Sequence, residues 1–114
     1  MESFDSMINL INESLQKIQE KFDIYQKEFF TQRPPEFFCL ELNGEAGELA
    51  NAEKKKWKGK PVADELFADE AADVLIALMN YSNARKIDLG KAVSDKLKKI
   101  EIKRQELAEK GEAY

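Results

Sequence analysis

Apolar residues recur at alternating intervals of four and three along the first part of the chain. The series consists of Phe4, Ile8, Ile11, Leu15, Ile18, Phe22, Tyr25 and Phe29. Such spacing places one apolar stripe along a helix, which packs against other helices rather than facing water. The pattern predicts a helix from about Ser6 to Phe30. Asn9 and Asn12 interrupt the start of the stripe, which leaves open a separate short helix within the first dozen residues.

Helix-breaking and capping residues divide the remaining sequence into three further helices. Pro34 and Pro35 interrupt the chain, and Pro suits the first turn of a new helix. Gly59 and Gly111 are typical helix stops, and Asp88 is a typical N-cap. The predicted helices run from about Pro35 to Lys58, from Val62 to Arg85, and from Asp88 to Lys110. Short links favour antiparallel neighbours, so the sequence predicts a single all-α domain over residues 1–114, a bundle of four to five helices.

Composition excludes several kinds of chemistry. The 114 residues contain no His, which removes Ser-His-Asp and Cys-His catalysis and His-ligated zinc. A net charge of -4 argues against a nucleic-acid-binding face. The single Cys39 allows no intrachain disulfide, which is typical of a reducing compartment. The N-terminal sequence lacks the pattern of a signal peptide, and the longest apolar run, residues 71–79, is too short to span a bilayer. We therefore expect a cytoplasmic protein with neither nucleic acid nor membrane as its partner.

Carboxylates occur on apolar helix faces in two places. Glu41, Glu45 and Glu48 share one side of the second helix, next to its apolar stripe. Glu70 and Asp73 lie three residues apart on the third helix, within an apolar stripe. A single glutamate of this kind is usually solvated, but an apolar setting for two such pairs requires compensation by a cation, a buried base or a raised pKa.

An oxygen-only set of ligands limits the choice of metal. Without His or Cys at the cluster, the carboxylates favour a hard ion, Mg²⁺ or Mn²⁺. Mg²⁺ commonly completes its coordination with water and with substrate phosphates. The cluster therefore indicates a phosphorylated substrate.

Several cationic and aromatic residues are candidates for contacting that substrate. Lys96 and Arg104 fall on the apolar stripe of the fourth helix, where they can meet carboxylates or phosphate oxygens. Lys55 shares the side of the second helix that carries Glu48. Trp57 and Tyr81 can stack on a base, although an aromatic residue at helical spacing is more often part of a core.

The two acidic motifs resemble those of a known family. The sequence GEAGELA at 44–50 is followed by EAADVL at 70–75, with 21 residues between Glu48 and Glu70, and IDLGKAV at 87–93 precedes Lys96. This arrangement of Glu-x-x-Glu, a variable gap and Glu-x-x-Asp is similar to the MazG-like all-α nucleoside triphosphate pyrophosphohydrolases. The resemblance covers about residues 22 to 104.

The resemblance implies a fold, an activity and a set of site residues. It implies an all-α bundle that assembles as a dimer or tetramer, and Mg²⁺-dependent cleavage of a (deoxy)nucleoside triphosphate into the monophosphate and pyrophosphate, in nucleotide-pool housecleaning. The implied metal ligands are Glu45, Glu48, Glu70 and Asp73, with Lys96 as a phosphate contact. Glu45 or Glu48 would orient the attacking water. Lys55, Arg104 and Tyr81 join Lys96 as candidate substrate contacts, and Mn²⁺ is expected to substitute for Mg²⁺.

Departures from the family pattern keep other functions open. Gly44 stands where many members have a further Glu, and Lys55, Ala77 and Ile100 replace the Trp, Tyr and Asn of dCTP-preferring pyrophosphatases. The base is therefore not implied. One alternative is a related all-α pyrophosphatase that acts on dUTP or phosphoribosyl-ATP. Another is a non-catalytic helical interaction protein with a degenerate acidic site.

The amount of apolar surface predicts self-association. The stripe on the first helix and the apolar residues Leu75, Ile76, Leu78 and Met79 of the third helix exceed what one four-helix core can bury. We expect a symmetric homodimer, or a tetramer, whose interface uses the first and third helices.

Overall fold

The computed structural model describes residues 2–114, and this part of the chain contains helices and no strand. Its four helices are α1 (Glu2–Phe29), α2 (Pro35–Trp57), α3 (Asp64–Arg85) and α4 (Leu89–Glu109). The prediction of an all-α fold is confirmed. Helix α1 is continuous through Asn9 and Asn12, so the interpretation with a separate short N-terminal helix is wrong. Within residues 2–114, no helix combines the length and the apolar character that a membrane crossing requires.

Backbone geometry explains where the helices begin and end. Helix α2 begins at Pro35, directly after an extended Pro34, and the chain turns at Gly59 with a φ of 83°. Helix α3 begins at Asp64, two residues later than the sequence predicts, and ends at Arg85, which is followed by Lys86 in the left-handed conformation. Asp88 caps α4 as predicted, because its side chain accepts a hydrogen bond of 3.1 Å from the Lys91 amide.

The chain forms two compact units, of which the first comprises Ile87–Tyr114 and the residues up to Lys21. Here α4 lies close to α1, since a Cβ atom on Gly90 would be only 3.2 Å from the Ile11 carbonyl oxygen. The Ser94 hydroxyl donates to the Asn12 side chain at 2.8 Å, and the buried Gln19 side chain accepts from the Leu89 amide at 2.9 Å. These polar contacts therefore fix the position of α4 along this part of α1.

The second unit is Phe22–Lys86, and it holds the end of α1 together with α2 and α3. Helices α2 and α3 pack against each other over much of their length. Their buried residues include the small Ala52 and Ala77, together with Phe38 and Met79. Small side chains let two helix backbones approach closely, which brings the midpoints of α2 and α3 together at the two acidic motifs.

Candidate metal centre

The two acidic motifs lie opposite each other on α2 and α3. Glu45 interacts with Asp73, and Glu48 interacts with Glu70, so that the sequence order on one helix is reversed on the other. The two helices therefore run antiparallel at this point. Glu45, Glu70 and Asp73 are half-buried, whereas Glu48 is exposed. The three-residue spacing in each motif turns both carboxylates of a helix towards the other helix.

Three of these carboxylates form a group of the size that a metal ion requires. One oxygen from each of Glu45, Glu70 and Asp73 lies within 4.8 Å of the other two. Opposite ligands of a bound ion are about 4.2 Å apart for Mg²⁺ and about 4.8 Å apart for Ca²⁺, given their usual bond lengths. Glu48 lies outside this group of three and contacts Glu70 instead. We call the four carboxylates of Glu45, Glu48, Glu70 and Asp73 the acidic cluster.

Crowding within the acidic cluster raises two pKa values. The pKa of Glu45 is raised by burial, and then by the charges of Glu48, Asp73 and Glu41. The pKa of Glu70 is raised by burial, then by a hydrogen bond to the Glu48 carboxyl and by the Glu48 charge. Both shifts have the sign expected when like charges share a desolvated site. Without a cation, the cluster therefore favours binding protons.

The compensation for these charges does not come from the protein's own cations. Ion pairs join Lys27 to Asp23, Lys91 to Asp95 and Arg104 to Glu101, and within residues 2–114 no lysine or arginine pairs with the acidic cluster.

Two buried oxygen atoms of the cluster also lack a hydrogen-bond partner. They are Oε2 of Glu45 and Oε2 of Glu70, and each is screened from solvent. Buried polar atoms are normally hydrogen-bonded, and an exception is commonly explained by an absent ligand or by a strained site. An oxygen-binding cation would satisfy both atoms, so the donors fit a hard divalent ion such as Mg²⁺ or Mn²⁺.

Lys55 lies beside the acidic cluster. A shallow cavity of about 300 Å³ is lined by Glu48, Glu70, Lys55 and Asn51, together with Ala52 and Leu66. Asn51 was not among the residues predicted from the sequence. Its position, three residues after Glu48 and four before Lys55, nevertheless puts all three on one helix face. The structure therefore brings one predicted cation, and one amide that was not predicted, next to the carboxylates.

The other predicted contact residues lie in different settings. Tyr81 is half-buried on α3, with the Arg85 guanidinium 6.0 Å from its ring centre. Lys96 and Arg104 are exposed on α4, and Arg104 pairs with Glu101. The prediction that these two cations lie on the buried face of α4 is wrong, because that face is formed instead around Leu89, Gly90 and Ser94.

Comparison of the chain with protein-family models, with curated proteins and with solved structures gives no match. Support for a function therefore comes from the acidic cluster itself and from the motifs that form it.

Proposed function

We propose that the protein is a metal-dependent nucleoside triphosphate pyrophosphohydrolase that releases a nucleoside monophosphate and pyrophosphate. The observation that carries this proposal is the group of three carboxylates of Glu45, Glu70 and Asp73, with two buried oxygens that no described residue satisfies. The resemblance of the two motifs to the MazG-like family supplies the substrate class. The absence of a lysine or arginine partner, in the part of the chain that the structure describes, favours a metal ion over an internal ion pair.

The residues of the acidic cluster have different roles in this proposal. Glu45, Glu70 and Asp73 would hold Mg²⁺, or Mn²⁺ in its place. A bound ion of this kind neutralises phosphate oxygens and lowers the pKa of a coordinated water. Glu45 and Glu48 are the candidates for orienting the attacking water. Glu48 is the more available of the two, because it is exposed and lies outside the group of three.

Lys55 and Asn51 supply hydrogen-bond donors on the same side of the cluster. Lys55 and Asn51 line the cavity that Glu48 and Glu70 share. Donors placed there would stabilise charge on the phosphate oxygens as the bond breaks. Lys96, Arg104 and Tyr81 stay proposals for substrate contact on the basis of the sequence alone.

A substrate panel tests the activity. The protein is incubated with each nucleoside triphosphate, with dUTP and with phosphoribosyl-ATP in the presence of Mg²⁺, and pyrophosphate release is measured. We expect release from at least one nucleotide, and Asp73→Asn should lower the rate at least about 100-fold, because losing even an indirect metal partner costs 10- to 100-fold. Zn²⁺ should not be a specific requirement.

The matched control is Asp69→Asn, the same substitution four residues earlier on α3 at an exposed position. It should leave both the rate and the Mg²⁺ dependence unchanged. A fully active Asp73→Asn variant at saturating Mg²⁺ contradicts the assignment of the metal ligands. No pyrophosphate release from any member of the panel supports instead a non-catalytic helical interaction protein.

We also propose that the chain associates with itself. Large apolar side chains are exposed on α1, α2 and α3, among them Ile24, Phe29, Leu40 and Ile76. Surfaces of this kind mark protein interfaces when they are extensive. The partner that the sequence favours is a second copy of the chain.

A further inference from the structure

A second cavity lies at the end of the α2–α3 pair where α2 begins and α3 ends. Its volume is about 230 Å³, and all of its lining residues belong to the Phe22–Lys86 unit. The walls come from the last turns of α1 and α3, from residues 31–33, and from Pro35 and Phe38 in α2. Among the described residues that line it, none belongs to the acidic cluster. The cavity is therefore separate from the candidate metal centre.

Asn80 is a buried polar residue on the wall of this cavity. Its exposed fraction is only 6%, and its side chain makes no hydrogen bond to any residue that the structure describes. A carboxamide carries two donor hydrogens and an accepting oxygen. Those of Asn80 are not among the sealed atoms without a partner in residues 2–114, so they open onto the cavity. An unpaired amide that lines a cavity in this way is positioned to hydrogen-bond a ligand bound there.

The charges around the cavity are mainly positive. Lys27, Arg33 and Lys86 line it, and Asp23 is the one acidic residue among the described residues that do so. Asp23 is already paired with Lys27 at 2.8 Å, whereas Arg33 and Lys86 have no acidic partner within residues 2–114. The Arg33 guanidinium lies 4.9 Å from the ring centre of Phe37, which restricts where the cation can go. Two cations near the cavity are therefore available to an anion.

The first turn of α2 adds a further attraction for an anion. The N-cap residue is Pro34, which makes no side-chain hydrogen bond to the helix, and Pro35 begins the helix. Helix N-termini carry partial positive charge and unsatisfied amide hydrogens, which is why they bind phosphate groups. In this first turn Pro35 has no N–H and the Phe37 amide donates to the Pro34 carbonyl at 3.1 Å, so the Phe38 amide, and that of Glu36 beside its own carboxylate, are the ones left for an anion. This terminus lies on the wall of the cavity, since Pro35 and Phe38 line it.

We infer that this cavity binds a small phosphate monoester. Arg33, Lys86 and the first turn of α2 receive the phosphoryl group, because a guanidinium and a helix N-terminus both match phosphate oxygens. Asn80 hydrogen-bonds a hydroxyl on the body of the ligand, and Phe38 provides an apolar wall. The volume lies below the 300 to 1000 Å³ that is usual for drug-sized ligands, so the ligand is a phosphorylated polyol fragment rather than a whole nucleotide.

The experiment follows side-chain resonances of the full chain by NMR, in buffer that contains a chelator and no divalent metal. Inorganic phosphate is titrated first and glycerol 3-phosphate second. Both should shift the Arg33 side-chain signals, whereas only glycerol 3-phosphate should shift the Asn80 side-chain amide signals. Glycerol 3-phosphate should also saturate at a lower concentration, because only it carries hydroxyls for Asn80. Free phosphate and a phosphate ester are thereby distinguished, and metal-mediated binding at the acidic cluster is excluded.

Two variants separate the contributions to binding. Arg33→Gln should lower the binding affinity for both ligands about tenfold, which is the effect of losing one charge-assisted hydrogen bond. Asn80→Leu should leave inorganic phosphate binding unchanged and remove the advantage of glycerol 3-phosphate. The matched control is Arg85→Gln, because Arg85 lies over Tyr81 rather than in the cavity. It should not affect the affinity of either ligand.

Three results would overturn the inference. They are unchanged Asn80 signals at saturating glycerol 3-phosphate, shifts confined to the exposed lysines within residues 54–60, and equal affinities in wild type and Arg33→Gln. If Asn80→Leu does not fold, the Asn80 signals of the wild type and the Arg33→Gln titration still decide the question. None of these results bears on the metal-dependent activity, because divalent metal is absent throughout.

Discussion

At the scale of the residue, the position of Glu70 determines how favourable its charge is. It lies within the apolar stripe of α3, half-buried against Glu48, with Oε2 buried and without a hydrogen-bond partner. In an exposed position the same side chain would be fully hydrated and its charge would cost little. Here the charged form is disfavoured by burial and by its neighbours, as the raised pKa of Glu70 records. The charged form of the acidic cluster is therefore electrostatically unfavourable unless a cation is bound.

Neutralising Glu70 should raise the stability of the metal-free protein. An acid with a raised folded-state pKa contributes stability below its unfolded-state value, about 4.5, and that contribution is lost as the pH rises through the folded-state pKa. At pH 7, in buffer that contains a chelator, the melting temperature of Glu70→Gln should therefore be roughly a few degrees higher than that of wild type. The difference should shrink as the pH falls towards 4. Thermal unfolding followed by circular dichroism measures both effects.

Adding Mg²⁺ should reverse the order of stability at Glu70. A ligand that binds only the folded state raises the melting temperature, and Glu70→Gln removes one of the proposed ligands. The control is Glu53→Gln, which changes an exposed glutamate on α2 and should behave as wild type. If Mg²⁺ leaves the melting temperature of wild type unchanged, the acidic cluster is not a preformed metal site.

Sequence spacing was sufficient to predict which carboxylates lie together, but it was insufficient to predict whether the cations of α4 are buried. Glu45, Glu70 and Asp73 are brought together because three-residue spacing fixes a helix face whatever the neighbouring helix is. The setting of Lys96 and Arg104 depends on which side of α4 is covered, and a helical wheel cannot reveal that. The sequence did not point to Asn80 for a related reason. A single Asn on a helix becomes a candidate binding residue only once the cavity beside it is known.

At the scale of the element, local signals placed the helix ends well. The Pro34–Pro35 pair, Gly59, Asp88 and Gly111 all mark ends that the structure confirms to within two residues. These signals act through backbone geometry that involves only neighbouring residues. The N-terminal region of α1 was less certain, because the effect of Asn9 and Asn12 on the helix depends on contacts made elsewhere. Asn12 in fact accepts a hydrogen bond from Ser94.

Removing the N-cap of α4 should destabilise the protein. The Asp88 side chain accepts a hydrogen bond from the Lys91 amide, which would otherwise lack a partner at the helix start. Asp88→Ala should lower the free energy of unfolding by about 1 kcal/mol, the usual effect of losing such a cap. Urea unfolding followed by circular dichroism gives the value.

Asp95→Ala is the matched control for this cap. Asp95 also interacts with Lys91, but through an exposed ion pair between side chains at 2.7 Å. Exposed pairs of this kind contribute little, so this variant should lose less stability than Asp88→Ala. Equal losses in the two variants would mean that the charge near Lys91, rather than the backbone cap, stabilises the start of α4.

At the scale of the whole molecule, the fully buried core is small. Within residues 2–114, six apolar side chains are buried, whereas fifteen large apolar side chains are exposed. Single exposed apolar residues are normal in a monomer, but an excess of this size over the core is not. The sequence predicted the excess from the continuous stripe of α1. It could not predict which residues would stay exposed, since that depends on how α2 and α3 cover each other.

Self-association is the prediction that belongs to this scale. We expect wild type to sediment at equilibrium, at micromolar concentration, as a multiple of its 13.1 kDa chain mass. Ile24→Asp on α1 and Ile76→Asp on α3 should each shift the protein towards monomer, because both side chains are exposed and a charge at an apolar interface is unfavourable. Ile24 is a better probe than Phe22, which is half-buried against Tyr25, so that its replacement would also disturb the single chain.

Lys21→Asp, an exposed substitution on the same helix, provides the control and should leave the mass unchanged. Pyrophosphate release measured on the same samples shows whether the chemistry depends on assembly. If activity is lost together with assembly in both variants, the second copy is needed to complete or cover the site. A fully active monomeric Ile24→Asp would show that the acidic cluster functions within one chain. Wild type that sediments at 13.1 kDa would refute the association itself, and the exposed apolar residues would then belong to a contact with some other partner.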